Sequence, residues 1–306
     1  MDRPIACDRV SRPTSITGAV RHIPPWFHGR KGARTMPDVW ATVTDLDSSM
    51  QERLAGVLEA RGADPQQQAM RRAFLSGIDF PEGAHVVDVG CGTGVLTRML
   101  ARWPNVDTVV GVDPAASLIR KAQVLASDLA NVTFNEADGR SLPFGGEAFD
   151  VAIFDSTLSH VPGPERALAE AHRIVRPAGW LAVFDGDYAT ATAALGDHDP
   201  LQTCVTAMMA SSVNDRWLMR RLCALVRDSG FELVSFRSHG FSETTGGAYM
   251  LSVVDRGADI LCASGSIGEE TAAALKAEAR HRVNAGTFFG HIAYTSLIAR
   301  KPAALA

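Results

Sequence analysis

The 306-residue chain lacks several features that would assign it to a class at once. It has no CxxC pair. Its five cysteines, Cys7, Cys91, Cys204, Cys223 and Cys262, are odd in number and widely spaced. That pattern argues against a disulfide framework or a zinc knuckle, and it fits reduced thiols and a cytoplasmic location. No run of about 18 apolar residues occurs, so no membrane span is expected. Positive charge is not in surplus either: 30 Lys and Arg stand against 34 Asp and Glu, a formal net charge of −4. Nucleic-acid binders usually carry a basic excess, so nucleic acid is disfavoured as the main partner. Internal repeats are absent.

What is present is a globular balance, 46% hydrophobic and 21% charged, which can fill a sizeable core. The length suits one large domain or one domain with a cap. Residues 1–35 stand apart. Arg3, Arg9, Arg12, Arg21, Arg30, Lys31 and Arg34 outnumber Asp2 and Asp8, while Pro4, Pro13, Pro24 and Pro25 interrupt any helix. With no apolar h-region the stretch is not a secretory signal, and it reads as a disordered arm. Residues 36–80 read as a helical cover. Val43, Leu46, Met50, Leu54, Val57 and Leu58 recur at helical steps from about Val39 to Ala60. Gly62 to Pro65 breaks the pattern, and Asp64 caps a second helix that runs to about Gly77 with Pro65 at its first position.

From residue 81 onward, short apolar runs alternate with helical stretches. Strands are expected at His85–Val89, Thr108–Val112, Val132–Asn135, Phe149–Phe154 and Trp180–Phe184. Helices are expected at Gly94–Ala101, Ser117–Leu129, Pro164–Val175 and Pro200–Ser229. Such alternation implies an α/β fold with a parallel sheet covered on both faces. After Gly230 come a sixth strand, Phe231–Arg237, and two helices, Gly246–Ser264 and Ile267–Val283. A last strand follows, about Ile292–Ala299. The two helices form an insertion at about 244–285 that reads as a lid.

The strongest chemical signal runs from Val86 to Gly94, a buried strand that enters a glycine-rich turn and then a helix. Gly90, Gly92 and Gly94 allow positive φ and close approach of a ligand to the backbone. A dinucleotide fingerprint would need glycine at position 95, where Val95 stands. A nucleoside amino acid therefore suits the turn better than a dinucleotide, and a dehydrogenase is disfavoured. Asp113 closes the second strand ahead of Pro114, where a carboxylate can accept two ribose hydroxyls or else cap the next helix. Asp138-Gly139 follows the third strand. It could accept the adenine amine, or be an ordinary turn.

Together, residues 85–184 resemble the class I S-adenosylmethionine-dependent methyltransferases, of the small-molecule type that includes the ubiquinone and menaquinone methyltransferases. The matching pieces are Val86–Gly94, Val109–Pro114, Asn135–Phe144, Phe149–Val161 and Ala167–Asp185, in the family's order and spacing. The resemblance implies a Rossmann-like seven-stranded sheet, mostly parallel, with its last strand antiparallel. It implies S-adenosylmethionine as cofactor. Asp88, Gly90, Gly92 and Gly94, with Cys91 between them, would surround the methionine end. Asp113 with Pro114 would hold the ribose and Asp138 with Gly139 the adenine. Asp155 and Ser156 would lie beside the transferring methyl, and Trp40 would close the site as upstream aromatic residues do in many relatives.

Methyl transfer needs the nucleophile held in line and desolvated, and a hydroxyl acceptor gains from a base. His160, Asp187 and Tyr188 are the candidates. Each has a plain structural alternative, as do Asp185 and His198. Arg71 and Arg72 are placed to reach a cofactor carboxylate, although solvent exposure suits at least one of them. Asp155, Asp185 and Asp187 also suggest magnesium, as in metal-dependent catechol-type methyltransferases, but that family's full ligand set is not matched. No Asp-Pro-Pro-Tyr-like stretch follows the fourth strand and no paired-glutamate loop is evident, which leaves a small-molecule acceptor. O-methylation is favoured over N- or C-methylation. The rival readings are a non-methylating enzyme on the same fold and a protein that senses the cofactor. The oligomeric state stays open.

Overall fold

Seven strands form one sheet in the order β3-β2-β1-β4-β5-β7-β6 in a computed structural model that describes residues 38–244 and 248–304. The arm at 1–35 and the expected helix start at Gly246 lie outside those residues. The strands are β1 (Ala84–Val89), β2 (Val106–Asp113), β3 (Val132–Glu136), β4 (Phe149–Asp155), β5 (Val175–Thr192), β6 (Glu232–Glu243) and β7 (Gly290–Arg300). β1 pairs in parallel with β2 and β4, β2 with β3, and β4 with β5. β7 alone runs antiparallel, between β5 and β6. The sheet is thus mostly parallel and Rossmann-like, with an antiparallel last strand.

Side chains alternate across the strands, so one strand feeds two cores. Val86, Val151, Ile153, Ala182 and Phe184 face one side of the sheet. Val87, Val89, Ala152, Phe154, Leu181 and Val183 face the other, and all are buried. This two-sided burial explains why the strands read as continuous apolar runs.

The helices are α1 (Ser48–Ala63), α2 (Pro65–Leu75), α3 (Val95–Leu100), α4 (Ala116–Leu125), α5 (Pro164–Ile174), α6 (Pro200–Ser212), α7 (Leu218–Asp228), α8 (Ala248–Ala263) and α9 (Glu269–Asn284). None among the described residues is long and apolar enough to cross a membrane. Asp64 caps α2 by accepting from Gln67 N at 2.9 Å, with Pro65 at the first position. α1 starts later than its periodicity predicts, because Asp47 caps it through Met50 N after a 3-10 turn at Val43–Asp45.

Two further expectations are corrected. The stretch 200–229 is two helices. Val213 turns extended, and the Asp215 carboxylate accepts from Trp217 N at 3.0 Å while Asp215 N donates to Ser159 O. An Asn-Asp pair offers the backbone that alternative to helix. β5 runs well past Phe184, because β7 pairs with it at Asp187↔Ala293 and Thr192↔His291. Asp185, Asp187 and Tyr188 are therefore strand residues, not loop residues. The helices of the insertion are packed onto the rest of the fold. Met250, Val253, Val254 and Ala258 of α8 share a core with Cys204, Val205 and Met209 of α6. Gly257 makes this approach possible, since a Cβ there would run into the Cys204 carbonyl.

Candidate active site

The C-terminal ends of β1, β2 and β4 open onto a cavity of about 360 Å³, a volume typical of small-ligand sites. Asp88, Gly90, Cys91, Gly92, Asp113, Pro114, Asp138, Gly139, Asp155, Ser156, Trp40 and His160 line it. Gly94 stands just outside, at the N-cap of α3. Gly90, Gly92 and Gly94 take φ of +77°, +53° and +78°, conformations that L side chains resist. A Cβ on Gly92 would come 2.7 Å from Leu58 Cδ1.

The Asp113 carboxylate is held by two backbone amides. Its Oδ2 accepts from Gly92 N and its Oδ1 from Ala115 N, both at 2.9 Å. Those N–H groups fix the carboxylate and leave each oxygen a further lone pair. Asp113 does not cap α4, whose N-cap is Ala115 with no side-chain bond. Burial pushes its pKa up to about 6. Asp88 lies deeper. Thr97 Oγ1 donates to its Oδ2 at 2.6 Å, its Oδ1 has no partner among the described residues, and burial raises its pKa to about 7. Burial pushes the Cys91 thiol up, as expected for a thiol that packs rather than reacts.

At the end of β4, Arg71 from α2 donates Nε–H to Asp155 Oδ2 at 2.5 Å, and both side chains are buried. Arg71 Nη1 has no partner among the described residues. Arg72 is exposed. Ser156 holds φ of +54°, a strained position for a residue with a side chain, and donates to Asp155 Oδ1 at 3.0 Å. Asp138 is half-exposed and bound to its neighbour Arg140 at 2.6 Å, which lowers its pKa.

His160 sits between two groups from distant parts of the chain. Its Nδ1 lies 2.7 Å from Asp38 Oδ2, and its Nε2 lies 3.4 Å from Tyr188 Oη. Asp38 also accepts from Asn214 N at 2.7 Å and Trp40 N at 2.9 Å. A carboxylate on Nδ1 assigns the proton there and leaves Nε2 as an acceptor. Trp40 packs edge-on against the His160 ring, centroids 6.2 Å apart. Tyr188 is buried behind His160, and burial first, then Asp185, keeps it a phenol by raising its pKa.

The structure does not bring Asp187 into the cavity. It points to the other face of β5 and pairs with Arg220 at 3.0 Å. Asp185 accepts from Ser159 N and Oγ and so fixes the turn that carries His160. Asp155, Asp185 and Asp187 are thus each tied to a different partner and do not fit a shared magnesium ion. Among the described residues no cluster of three ligating side chains occurs. His198 is exposed in a surface loop and His291 bonds Ser242, both away from the cavity. Two lining or supporting residues carry no sequence signal. Asp38 stands in no motif, and Arg61 falls among the polar positions of α1.

A family model described as a methyltransferase domain matches residues 87–183. The 2-phytyl-1,4-naphtoquinone methyltransferase of Thermosynechococcus vestitus is 30% identical over 179 residues, 54% of this chain and 79% of that protein. The O-methyltransferase resE of Aspergillus sclerotiorum is 29% identical over 163 residues, 49% of this chain and 61% of that one. The chain thus spans less than two thirds of the length of some of its curated relatives. In fold it is similar to a putative methyltransferase from Bacillus halodurans, with a TM-score of 0.55 at 19% identity, covering 76% of this chain and 98% of that one. The chain belongs to the class I S-adenosylmethionine-dependent methyltransferases, a family whose cofactor is S-adenosylmethionine. The site fits it. The glycine turn is a cradle that a Cβ would fill, Asp113 has two hydroxyl-accepting oxygens, and Arg71 Nη1 and Asp88 Oδ1 are orphaned at the cavity.

Proposed function

We propose that the enzyme methylates an oxygen of a small-molecule acceptor, with His160 as the general base. The observation that carries this reading is the Asp38–His160 hydrogen bond of 2.7 Å at the cavity wall. When bound, S-adenosylmethionine supplies a methyl group on a sulfonium sulfur, a leaving group that needs no proton. An oxygen nucleophile is the part that gains from deprotonation.

Each cavity residue then has a task. Asp113, beside Pro114, accepts the ribose hydroxyls on its free lone pairs. Asp138 and Gly139 border the adenine, with Arg140 holding the Asp138 carboxylate in place. Gly90, Cys91 and Gly92 let the backbone approach the methionine portion, whose carboxylate meets Arg71 Nη1 and whose ammonium meets Asp155. Gly94 starts the helix that ends this turn, and the Asp88 carboxyl supports the turn from below. Ser156 and Trp40 bound the space left for the acceptor and exclude water from it. His160 Nε2 takes the acceptor proton. Asp38 holds the ring by Nδ1 and steadies the imidazolium that forms. Tyr188 Oη, 3.4 Å from Nε2, steadies the ring from its other edge.

The test uses methyl-labelled S-adenosylmethionine with fractionated small-molecule extracts. The expected result is label in a low-molecular-weight product whose methyl is bound to oxygen, with a rate that His160→Gln lowers about 10²–10⁴-fold. Label on nitrogen or carbon, or no loss in the variant, overturns the reading.

A further inference from the structure

The cavity contains an arginine that no acid pairs among the described residues. Arg61 of α1 lines it, half-buried. Its Nη2 donates to Tyr294 Oη at 3.1 Å and to Ser156 Oγ at 3.4 Å, and its Cζ lies 5.4 Å from the Tyr249 ring centroid. Hydroxyls and a ring are neutral partners. Arg61 Nε is closed off from solvent and has no partner among the described residues. The other two arginines of the cavity differ, since Arg71 holds Asp155 and Arg140 holds Asp138. A guanidinium keeps its charge at any physiological pH, so burial without an anion is costly. Tyr294 and Tyr249 also brace it, so it is not free to swing out to solvent.

Position separates this arginine from the cofactor's own carboxylate. The glycine turn follows β1, and Arg71 stands at the end of β4 beside it. Arg61 instead reaches across β4 toward β7, which carries Tyr294, and α8, which carries Tyr249. Arg61 thus stands where the cavity wall meets β7 and α8, next to the Ser156 that bounds the acceptor space. Arg256, two turns along α8 from Tyr249, forms no ion pair among the described residues, and burial with nearby Arg53 works against its charge. Glu243, at the end of β6, is occupied by the Tyr249 and Met250 amides, which donate to it at 3.1 and 2.6 Å. The acids that act on these two arginines, and the one beside them, are already engaged: Asp155 by Arg71, Asp38 by His160 and Glu243 by the two amides.

We propose that the methyl acceptor is a carboxylic acid and that Arg61 receives its carboxylate. The assignment rests on the methyl-transfer reading above and narrows it to a substrate class. Arg61 Nη1, which bonds nothing among the described residues, suits a monoanionic carboxylate, whereas a phosphate dianion calls for a second cation within hydrogen-bond reach. His160 lines the same cavity. An acid with a separate hydroxyl would place its carboxylate on Arg61 and its hydroxyl at Nε2.

The experiment uses matched probes on the full chain: 4-hydroxybenzoate, trans-cinnamate and hexanoate, their carboxamides, and phenyl phosphate. Binding is read by calorimetry and thermal shift, with and without saturating S-adenosylhomocysteine. At least one acid is expected to bind about tenfold or more tightly than its amide and than phenyl phosphate. Arg61→Gln should abolish that preference while S-adenosylhomocysteine still binds as in the parent. Arg61→Lys, which keeps the charge if the glutamine variant unfolds, should retain a weakened preference. Acid and amide binding alike, no acid binding, phosphate preferred, or an acid preference that survives in Arg61→Gln overturns the proposal. Loss of S-adenosylhomocysteine binding in Arg61→Gln would also overturn it, by giving Arg61 to the cofactor. Failure of the parent to bind S-adenosylhomocysteine would instead sink the site assignment, and the acid arms without cofactor register that separately.

Discussion

Arg71 and Asp155 form a buried ion pair that joins the helical cover to the end of β4, with side chains only 6% and 8% exposed. The pair ties two sequence regions 84 residues apart at the mouth of the cavity. Removing one partner of such a pair leaves an uncompensated charge, which costs about 3–5 kcal/mol in typical proteins. Arg71→Met should therefore lower the urea midpoint sharply and weaken S-adenosylhomocysteine binding. The double variant Arg71→Met with Asp155→Asn should recover much of the stability but not the binding. Recovery of both in the double variant would show that the pair serves folding alone.

The two raised carboxyls give the cofactor site a pH signature. Ionised Asp113 and Asp88 are disfavoured in the free protein, with pKa values of about 6 and about 7. Both lie above the ordinary carboxylate value, so their contribution to stability is complete below about pH 4 and is lost as pH rises through about 6 and about 7. A sulfonium ligand whose ribose hydroxyls donate to Asp113 favours the ionised form. S-adenosylmethionine should bind more tightly as pH rises through this window, about tenfold between pH 5 and the plateau, with release of protons. Calorimetry in buffers of different ionisation enthalpy measures that release. Affinity flat from pH 5 to 8, with no proton exchange, would contradict it.

Legibility in the sequence follows the range of the interactions that define a role. The central strands are legible because both their faces are buried, and β1 with its glycine turn is legible because Gly90, Gly92 and Gly94 adopt positive φ. Asp113 and Asp155 stand out because strand ends are where such sheets bind ligands. Asp38 does not stand out. Its role depends on the turn at Val213–Trp217 and on His160 being brought to it from 122 residues away. Tyr188 and Asp187 look equivalent as neighbours, yet the two-residue period of β5 sends one to His160 and the other to Arg220. The length of β5 itself depends on β7, whose pairing no local pattern encodes.

The Asp38–His160 pair predicts a positioning effect that differs from loss of the base. Asp38→Asn keeps an oxygen near Nδ1 and near the Asn214 and Trp40 amides, but it withdraws the charge that steadies the imidazolium. The turnover number should fall about 10–100-fold with little change in KM for S-adenosylmethionine. Asp38→Glu, which restores the charge, should recover part of the lost turnover. His160→Gln should lose more than Asp38→Asn, and the double variant no more than His160→Gln alone. A turnover number unchanged in Asp38→Asn would leave the pair with a purely structural role.

The glycine turn offers a test that separates space from backbone conformation. At Gly92 two costs coincide: φ of +53°, and a new Cβ 2.7 Å from Leu58 Cδ1 on α1. A left-handed conformation costs an alanine roughly 1–2 kcal/mol, and overpacking adds about 1–3 kcal/mol. Gly92→Ala should therefore be destabilised by about 2–5 kcal/mol and bind S-adenosylhomocysteine poorly. Adding Leu58→Ala relieves the contact but not the dihedral strain. Stability measured against the Leu58→Ala background should show the smaller, conformational part of the loss alone. If Gly92→Ala costs as much there as in the parent, Leu58 is not what the glycine accommodates, and the turn is glycine for its φ only.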